Sequence, residues 1–230
     1  MSGPLMSVAQ VAASLHLSRR EVIRMAEEKL LPARKVKGDW SFRPGEIWNW
    51  VEENLHSLPA RRAKDRHPQL HDDFLIEPVL KTTGIAVGVL AKTKASVLRE
   101  LVGLAVRVDS TLDPAALTEA IIEREKTGST ALQDGVAVPH PARPIYCEGP
   151  VIAAVRTSQP IVFGQRDGGL TDLFFLICSP HHIEHLLYLG RLCRLLIDRH
   201  LQDELRHAPD AGAFADLLIQ AEHRLCAKSR

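Results

Sequence analysis

The sequence predicts an α/β (α+β) sandwich, in which helices flank a mixed sheet, preceded by a small helical domain with a β-hairpin. Near the N-terminus, two short helix patterns, each with its own N-cap, stand almost directly next to each other. A charged stretch with few apolar residues follows. Beyond residue 70, long helical patterns alternate with short apolar runs that suit buried strands. This mixture is typical of a sheet that is covered by helices.

Composition places the chain among ordinary globular proteins, with 45% hydrophobic and 25% charged residues among its 230. No run approaches the roughly 18 apolar residues that a membrane span needs, and the first residues lack the pattern of a secretory signal. The four cysteines follow no metal-binding spacing, so we interpret them as small core residues in a reducing compartment. We therefore expect a cytoplasmic protein without membrane insertion.

Charge is unevenly distributed, although the formal net charge is only +1. Residues 1–68 contain 12 Lys and Arg against 8 Asp and Glu, whereas residues 69–230 contain 17 against 20. A basic head on a mildly acidic body indicates that only the head binds polyanions. Residues 58–70, with a proline near each end, predict an exposed linker. The predicted domains are therefore a head, residues 1–57, and a body, residues 71–230.

The head begins with two capped helix patterns. Ser7 with Gln10, and Ser18 with Glu21, have the spacing of an N-cap and its capping-box partner. Only residues 16–17 separate the two patterns, which together predict a helix-turn-helix.

A hairpin and a third helix follow in the head. Two extended arms flank the turn dipeptide Gly38-Asp39, and Pro44 opens a helix pattern. With these elements, residues 7–55 resemble the excisionase/MerR-type winged helix-turn-helix family, and the resemblance implies binding to DNA. A recognition helix and a basic wing would then contact DNA through six cations, Arg19, Arg20, Arg24, Lys35, Lys37 and Arg43.

Two alternatives stay open for the head. Its cations can merely solvate a small domain, or the head can pair two chains. A monomeric head with so few cations would bind DNA weakly, because affinity scales with the number of phosphates neutralised. A useful DNA site would therefore need a homodimer.

The body carries several helix patterns. Apolar spacing predicts a helix over Lys94–Val108. A second helix begins at the N-cap Asp113 and ends at Gly128; a third starts at Ser179-Pro180, and a last one is capped by Asp210. Apolar runs predict strands at residues 136–138, 151–155, 161–163 and 173–178.

The stretch that leads to His140 carries the most specific pattern of the chain. The pair Arg124-Glu125 precedes a Ser-Thr turn at residues 129–130 and the ending Gly-Val-Ala-Val-Pro-His. This stretch resembles the signature of the type-2 (mannitol/fructose) enzyme IIA domains of the bacterial phosphotransferase system, which include a nitrogen-regulatory branch. The resemblance continues through Gln165–Gly168 and residues 185–192, and so covers nearly the whole body.

Imidazole chemistry fits this resemblance. A neutral imidazole is a nucleophile towards phosphoryl groups at physiological pH, because its pKa lies close to that range. Charge builds on the phosphoryl oxygens during transfer, so nearby cations and N–H donors do most of the catalysis. The resemblance implies that His140 accepts the phosphoryl group, with Arg124 binding its oxygens and His185 donating to one of them. Thr130 and main-chain N–H groups near Gly135 are further candidates for the phosphoryl pocket.

A metal site is the competing interpretation of the histidines. His181 and His185 stand one helical turn apart, with His182 beside them. No third ligand with suitable spacing is evident, so we expect neither a metal nor a cofactor.

The combined expectation is a cytoplasmic regulator of the phosphotransferase system. It would accept a phosphoryl group on His140 from a histidine phosphocarrier protein, as a phosphotransferase-type relay, and couple its state to regulatory protein targets or to DNA binding. Two alternatives stay open. One is a sugar-specific enzyme IIA whose head is a docking module; the other is a transcription regulator whose sensor domain is not phosphorylated. Tight, salt-sensitive DNA binding that ignores phosphorylation would favour the latter.

Overall fold

The structure, a computed structural model, describes residues 5–15, 17–36, 38–44, 46, 47, 50, 75–165 and 168–227. The predicted linker, residues 58–70, lies outside them. The strands are β1 (Met6–Ser7), β2 (Arg34–Val36), β3 (Asp39–Phe42), β4 (Leu80–Val89), β5 (Val136–Ala137), β6 (Val151–Val162) and β7 (Leu170–Cys178). The helices are α1 (Val8–Ser14), α2 (Arg19–Glu27), α3 (Lys94–Val108), α4 (Pro114–Thr127), α5 (His182–Leu196), α6 (Arg199–His207) and α7 (Ala211–Ala227).

The head has the predicted helix-turn-helix and hairpin. Ser18 caps α2 in a complete capping box with Glu21. The antiparallel hairpin of β2 and β3 turns at Gly38, whose φ of 94° suits glycine. Unpredicted β1 completes a three-stranded sheet in the order β1-β3-β2. Helical backbone begins at Pro44, but much of the predicted third helix lies outside the described residues.

The body is built on a four-stranded mixed sheet in the order β4-β6-β7-β5. Strands β4 and β6 run parallel, as do β5 and β7, whereas β6 and β7 are antiparallel. Phe174 on β7 pairs with Val155 on β6 and with Ala137 on β5, which fixes the register across the sheet. The predicted mixed sheet is confirmed.

Successive side chains along the strands point to opposite faces of the sheet, so the body has one apolar layer on each face. Phe174 and Leu176 face the layer that contains α3 and α4. Phe175 and Ile177 face the opposite layer, which contains α5, α6 and α7. The sheet is therefore covered on both faces, as predicted for a sandwich.

Several predicted boundaries in the body are wrong. The runs 151–155 and 161–163 belong largely to one strand, β6, whose pairing shifts between Arg156 and Ile161. Helix α5 begins at His182 instead of at Ser179, whose hydroxyl accepts from the N–H of His181 before the helix starts. Strand β4 and helix α6 were not predicted from the sequence: polar residues 81–83 interrupt the apolar pattern of β4, and α6 is mostly polar.

The head packs on the body through α1 and α5. Val11 and Phe42 of the head belong to the same buried apolar cluster as Leu189 and Leu192 of α5. The two domains therefore share a core, although their strands form separate sheets.

Two further sequence predictions concern membranes and cysteines. No helix among the described residues is long and apolar enough to cross a membrane. Cys147, Cys178 and Cys193 are buried free thiols, which confirms their interpretation as core residues, whereas Cys226 is only half-buried. Burial raises the pKa of Cys193 to about 12, so this thiol stays protonated at neutral pH.

Candidate functional site

His140 lies just beyond β5 and is fully buried. Its Nδ1 is 2.7 Å from the carbonyl oxygen of Val138, two residues earlier. A carbonyl only accepts hydrogen bonds, so Nδ1 must carry the proton when the ring is neutral. The lone pair of the neutral ring is then on Nε2, which makes Nε2 the nucleophilic atom.

His185 lies in the first turn of α5, directly beside His140. The two ring centroids are 5.6 Å apart, at an interplanar angle of 51°, and both side chains have an exposed fraction of 0%. The structure therefore brings together the two histidines that the sequence pattern singles out.

Arg124 lies in the last turn of α4 and is also buried. Its Nη1 donates to the Gly128 carbonyl at 2.9 Å and to the Thr127 hydroxyl at 3.3 Å. Such bonds satisfy carbonyl groups at a helix C-terminus, where a cation also complements the helix dipole. Arg124 thus holds the turn that leads to Thr130.

Thr130 connects this turn to the segment of His140. Its carbonyl accepts from the N–H of Val138 at 3.0 Å. Its own N–H donates to Glu125 at 3.0 Å, and its hydroxyl donates to the same carboxylate. The Glu125 side chain is 4% exposed and forms an ion pair with Lys94. Glu125 therefore fixes the loop whose backbone supports the strand before His140.

Sequence reasoning gave no role to Glu125 or Lys94. Glu125 belongs to the Arg124-Glu125 pair of the signature, and this pair was the signal that could have identified it. Lys94 is the first residue of α3 and distant in sequence, so no spacing relates it to the site.

Gly135 lies at the outer side of this loop, with a φ of 80°. A Cβ there would come within 2.8 Å of the Arg206 guanidinium and 3.0 Å of the Asp172 carboxylate. Neighbouring Asp134 is paired with Arg199 at 3.0 Å. Gly135 is thus positioned by packing against an ion-pair cluster, and its role in a phosphoryl pocket stays a prediction.

That cluster centres on Arg206, which bonds the Asp172 carboxylate at 2.8 Å. Burial would lower the pKa of Arg206, but its bonds to Asp172 and Asp203 raise the pKa above the ordinary value. The guanidinium is therefore a permanent cation that ties α6 to β7 and to the loop of Gly135.

Of the six predicted DNA-binding cations, three lie on α2, and the sequence places the other three in or next to the hairpin wing. Arg19, Arg20 and Arg24 are exposed on α2, and in the part of the chain that the structure describes only Arg24 is near a carboxylate, that of Glu28 at 4.0 Å. On the wing, the Lys35 ammonium lies 5.0 Å from the ring centroid of Trp40.

Arg43 lies 3.6 Å from Glu46, which reduces the charge it offers a phosphate. Lys37 lies outside the described residues. Among the described cations, Arg19, Arg20 and Arg24 are therefore the ones that share one exposed helix, although Glu28 lies near Arg24.

Within the described part of the chain, no group of three or more His, Cys, Asp or Glu side chains is arranged to hold a metal ion.

The fold defines the body as an enzyme IIA-type α/β domain. The family model described as "Phosphoenolpyruvate-dependent sugar phosphotransferase system, EIIA 2" matches residues 78–221, and the chain belongs to this family. A helix-turn-helix domain model matches residues 5–55, so the head is an N-terminal helix-turn-helix domain.

Similar proteins include nitrogen regulatory proteins. One from Pseudomonas aeruginosa is 30% identical over 150 residues, covering 64% of this chain and 97% of that protein. The crystal structure of nitrogen regulatory protein IIA-Ntr from Neisseria meningitidis has a TM-score of 0.57 and 29% identity, covering 62% of this chain and 98% of that one. The fructose-specific EIIABC component of Bacillus subtilis is 29% identical over 147 residues, which cover 63% of this chain and 23% of that protein. The body is therefore a IIA-Ntr-like regulatory domain of the phosphotransferase system.

Proposed function

We propose that this chain is a cytoplasmic regulatory protein that accepts a phosphoryl group on His140 from a histidine phosphocarrier protein. The observation that carries the proposal is the His140–His185 pair, with Nδ1 of His140 bonded to the Val138 carbonyl. Membership in the EIIA 2 family supports the same chemistry.

The transfer would follow from the tautomer of His140. The Nε2 lone pair attacks phosphorus, and a new N–P bond forms as the N–P bond of the donor phosphohistidine breaks. The donor's ring nitrogen keeps the bonding electrons, and the phosphoryl group is transferred with its three oxygens. Nδ1–H of His140 remains bonded to Val138, so the ring keeps its orientation while positive charge develops on it.

Two buried side chains would stabilise the phosphoryl oxygens. His185, adjacent and buried, would donate one N–H. Arg124 would contribute a permanent positive charge in a site shielded from water, where electrostatic stabilisation is strongest.

The direct test is phosphate incorporation from phosphoenolpyruvate, enzyme I and the histidine phosphocarrier. The chain should acquire acid-labile label, and His140→Ala should acquire none. The matched control is His200→Ala, which removes an exposed histidine of α6 and should leave labelling unchanged. Absence of label on the intact chain, while a known enzyme IIA is labelled in parallel, would defeat the proposal.

We further propose that the head binds DNA through α2. The exposed arginines Arg19, Arg20 and Arg24 support this, because guanidinium groups bond both phosphates and guanine edges. Replacing all three by Ala should weaken binding and reduce the slope of log affinity against log salt by about 0.9 for each phosphate that the variant no longer neutralises. Replacing Arg99 and Arg107, exposed on α3 of the body, should change neither quantity. Equal binding by both variants would refute this role of α2.

A further inference from the structure

Helix α5 is enclosed along its whole described length. Between Glu184 and Leu196 no side chain is exposed, and only Glu184, Gly190 and Arg194 are half-buried. A helix that is buried all round needs partners on every side. Its partners are β7, α6 and α7 of the body, and α1 of the head.

The head and the body contact α5 through different kinds of interaction. Helix α7 is tied to α5 by the buried ion pair of Glu222 with Arg191, at 2.7 Å. Among the described residues, by contrast, the strands of the head pair only with one another, and no strand ladder joins the head to the body. The head is therefore held on α5 by packed apolar side chains, without a strand ladder among the described residues.

Helix α5, on which the head packs, also carries His185. Both His140 and His185 have an exposed fraction of 0%. Phosphoryl transfer between two proteins requires the reacting atoms to approach to about 3–3.5 Å. A donor histidine on another protein cannot reach a fully buried Nε2, so the docked conformation is closed to the donor.

We infer that the helix-turn-helix head is an intramolecular cover for the phosphoacceptor site, and that head and donor compete for the side of α5 next to His185. This inference rests on the proposed phosphotransfer to His140. In the docked conformation the site is closed; release of the head opens it to the donor protein.

Phosphorylation would in turn disfavour docking. A phosphoryl group on His140 adds about −1.5 to −2 charges and bulk to a space that is closed in the docked state. If the docked state accommodates the phosphoryl group less well than the open state does, phosphorylation loosens the head by the same free energy, because equilibrium coupling is reciprocal. The arginines of α2 are exposed in the docked state, so the output is release of the head from the body and not the uncovering of those arginines.

The test uses a protease site inserted between residues 62 and 63 of the full chain, which is cut after folding. In the uncut chain the tethered head has an effective concentration near the millimolar range, whereas after cutting it dissociates on dilution to about 1 µM. The labelling rate per molecule of the diluted cut protein should then be about ten times that of the uncut chain, if about nine tenths of the uncut molecules are docked. The uncut protein with the same insertion should show no dependence on its own dilution, and excess head fragment should slow the cut protein again.

The outcomes separate this inference from the proposed function. Labelling of cut and uncut protein at the same rate at every dilution would overturn the inference and leave phosphotransfer intact. No label in either form would overturn the proposed function, and the inference with it.

A second measurement covers the case in which the body unfolds after losing the head. Hydrogen exchange on the uncut chain should become faster in α1 and α5 after phosphorylation, and should stay unchanged in His140→Ala treated with the same donors. Unchanged exchange in fully phosphorylated protein would overturn the inference.

Discussion

The Nδ1–H group of His140 donates a 2.7 Å hydrogen bond to the carbonyl oxygen of Val138. This bond fixes both the orientation of the ring and the nitrogen that carries the proton. The backbone of the same Val138 donates to Thr130, which is held by Glu125. The nucleophile is thus positioned by backbone groups whose own positions depend on a buried carboxylate.

The first prediction concerns the resting tautomer of His140. At a pH where the ring is neutral, ¹⁵N spectra of the full chain should show a protonated Nδ1 and an unprotonated Nε2. The carbonyl of Val138 enforces this tautomer because it cannot donate a proton. A protonated Nε2 in the neutral ring would show that the bond to Val138 is absent in solution.

The second prediction is that Glu125→Gln slows phosphoryl transfer to His140 by about 10- to 100-fold, because small displacements of a positioned nucleophile have effects of that size. Glutamine keeps an acceptor for Thr130 but loses the ion pair with Lys94. The readouts are the labelling rate and the ¹⁵N signals of His140, which a purely structural role would not shift in a folded variant. Glu123→Gln, exposed on the same helix, should retain the rate of the unmodified chain. An unchanged rate in Glu125→Gln would rule out the positioning role.

The pair Arg124-Glu125 shows which features of the site could be predicted from the sequence and which could not. Capping and apolar spacing predicted α3, α4 and the β5 run, because these depend on local sequence, whereas His140 and His185 were singled out by the resemblance to the enzyme IIA signature. The ion pair of Glu125 with Lys94 joins elements 31 residues apart, and no periodic pattern links the two. Packing of α1 on α5 was unpredictable for the same reason, since it depends on which apolar surfaces meet after each domain has folded.

The third prediction is that Gly135→Ala destabilises the fold by about 1–3 kcal/mol, since its backbone has φ of 80° and its Cβ would press on Arg206 and Asp172. The matched control is Gly103→Ala on α3, where an added Cβ meets nothing within 4 Å. That helical substitution should stabilise the protein by about 0.5–1 kcal/mol. Urea unfolding measures both changes, and equal effects would contradict the conformational argument.

The fourth prediction concerns the buried ion pair of Glu222 with Arg191, whose side chains are 0% and 2% exposed. Glu222 also accepts the backbone N–H groups of Ile76 and Glu77. Glu222→Ala leaves a buried guanidinium without its carboxylate and should lower the free energy of unfolding by about 3–5 kcal/mol.

An exposed pair provides the comparison for that variant. Glu123 and Lys126 have side chains 61% and 64% exposed, so Glu123→Ala should change stability by less than about 0.5 kcal/mol. Similar losses in the two variants would mean that burial does not set the importance of the Glu222 pair.

The central claim is that Nε2 of His140 accepts the phosphoryl group, and the most direct measurement is ³¹P and ¹⁵N NMR of the full chain after phosphorylation by the histidine phosphocarrier. The account predicts one phosphoramidate, with phosphorus bonded to Nε2 of His140 and with Nδ1 still protonated. Phosphorus on Nδ1 or on another histidine, or no phosphoramidate at all with an active donor, would contradict it.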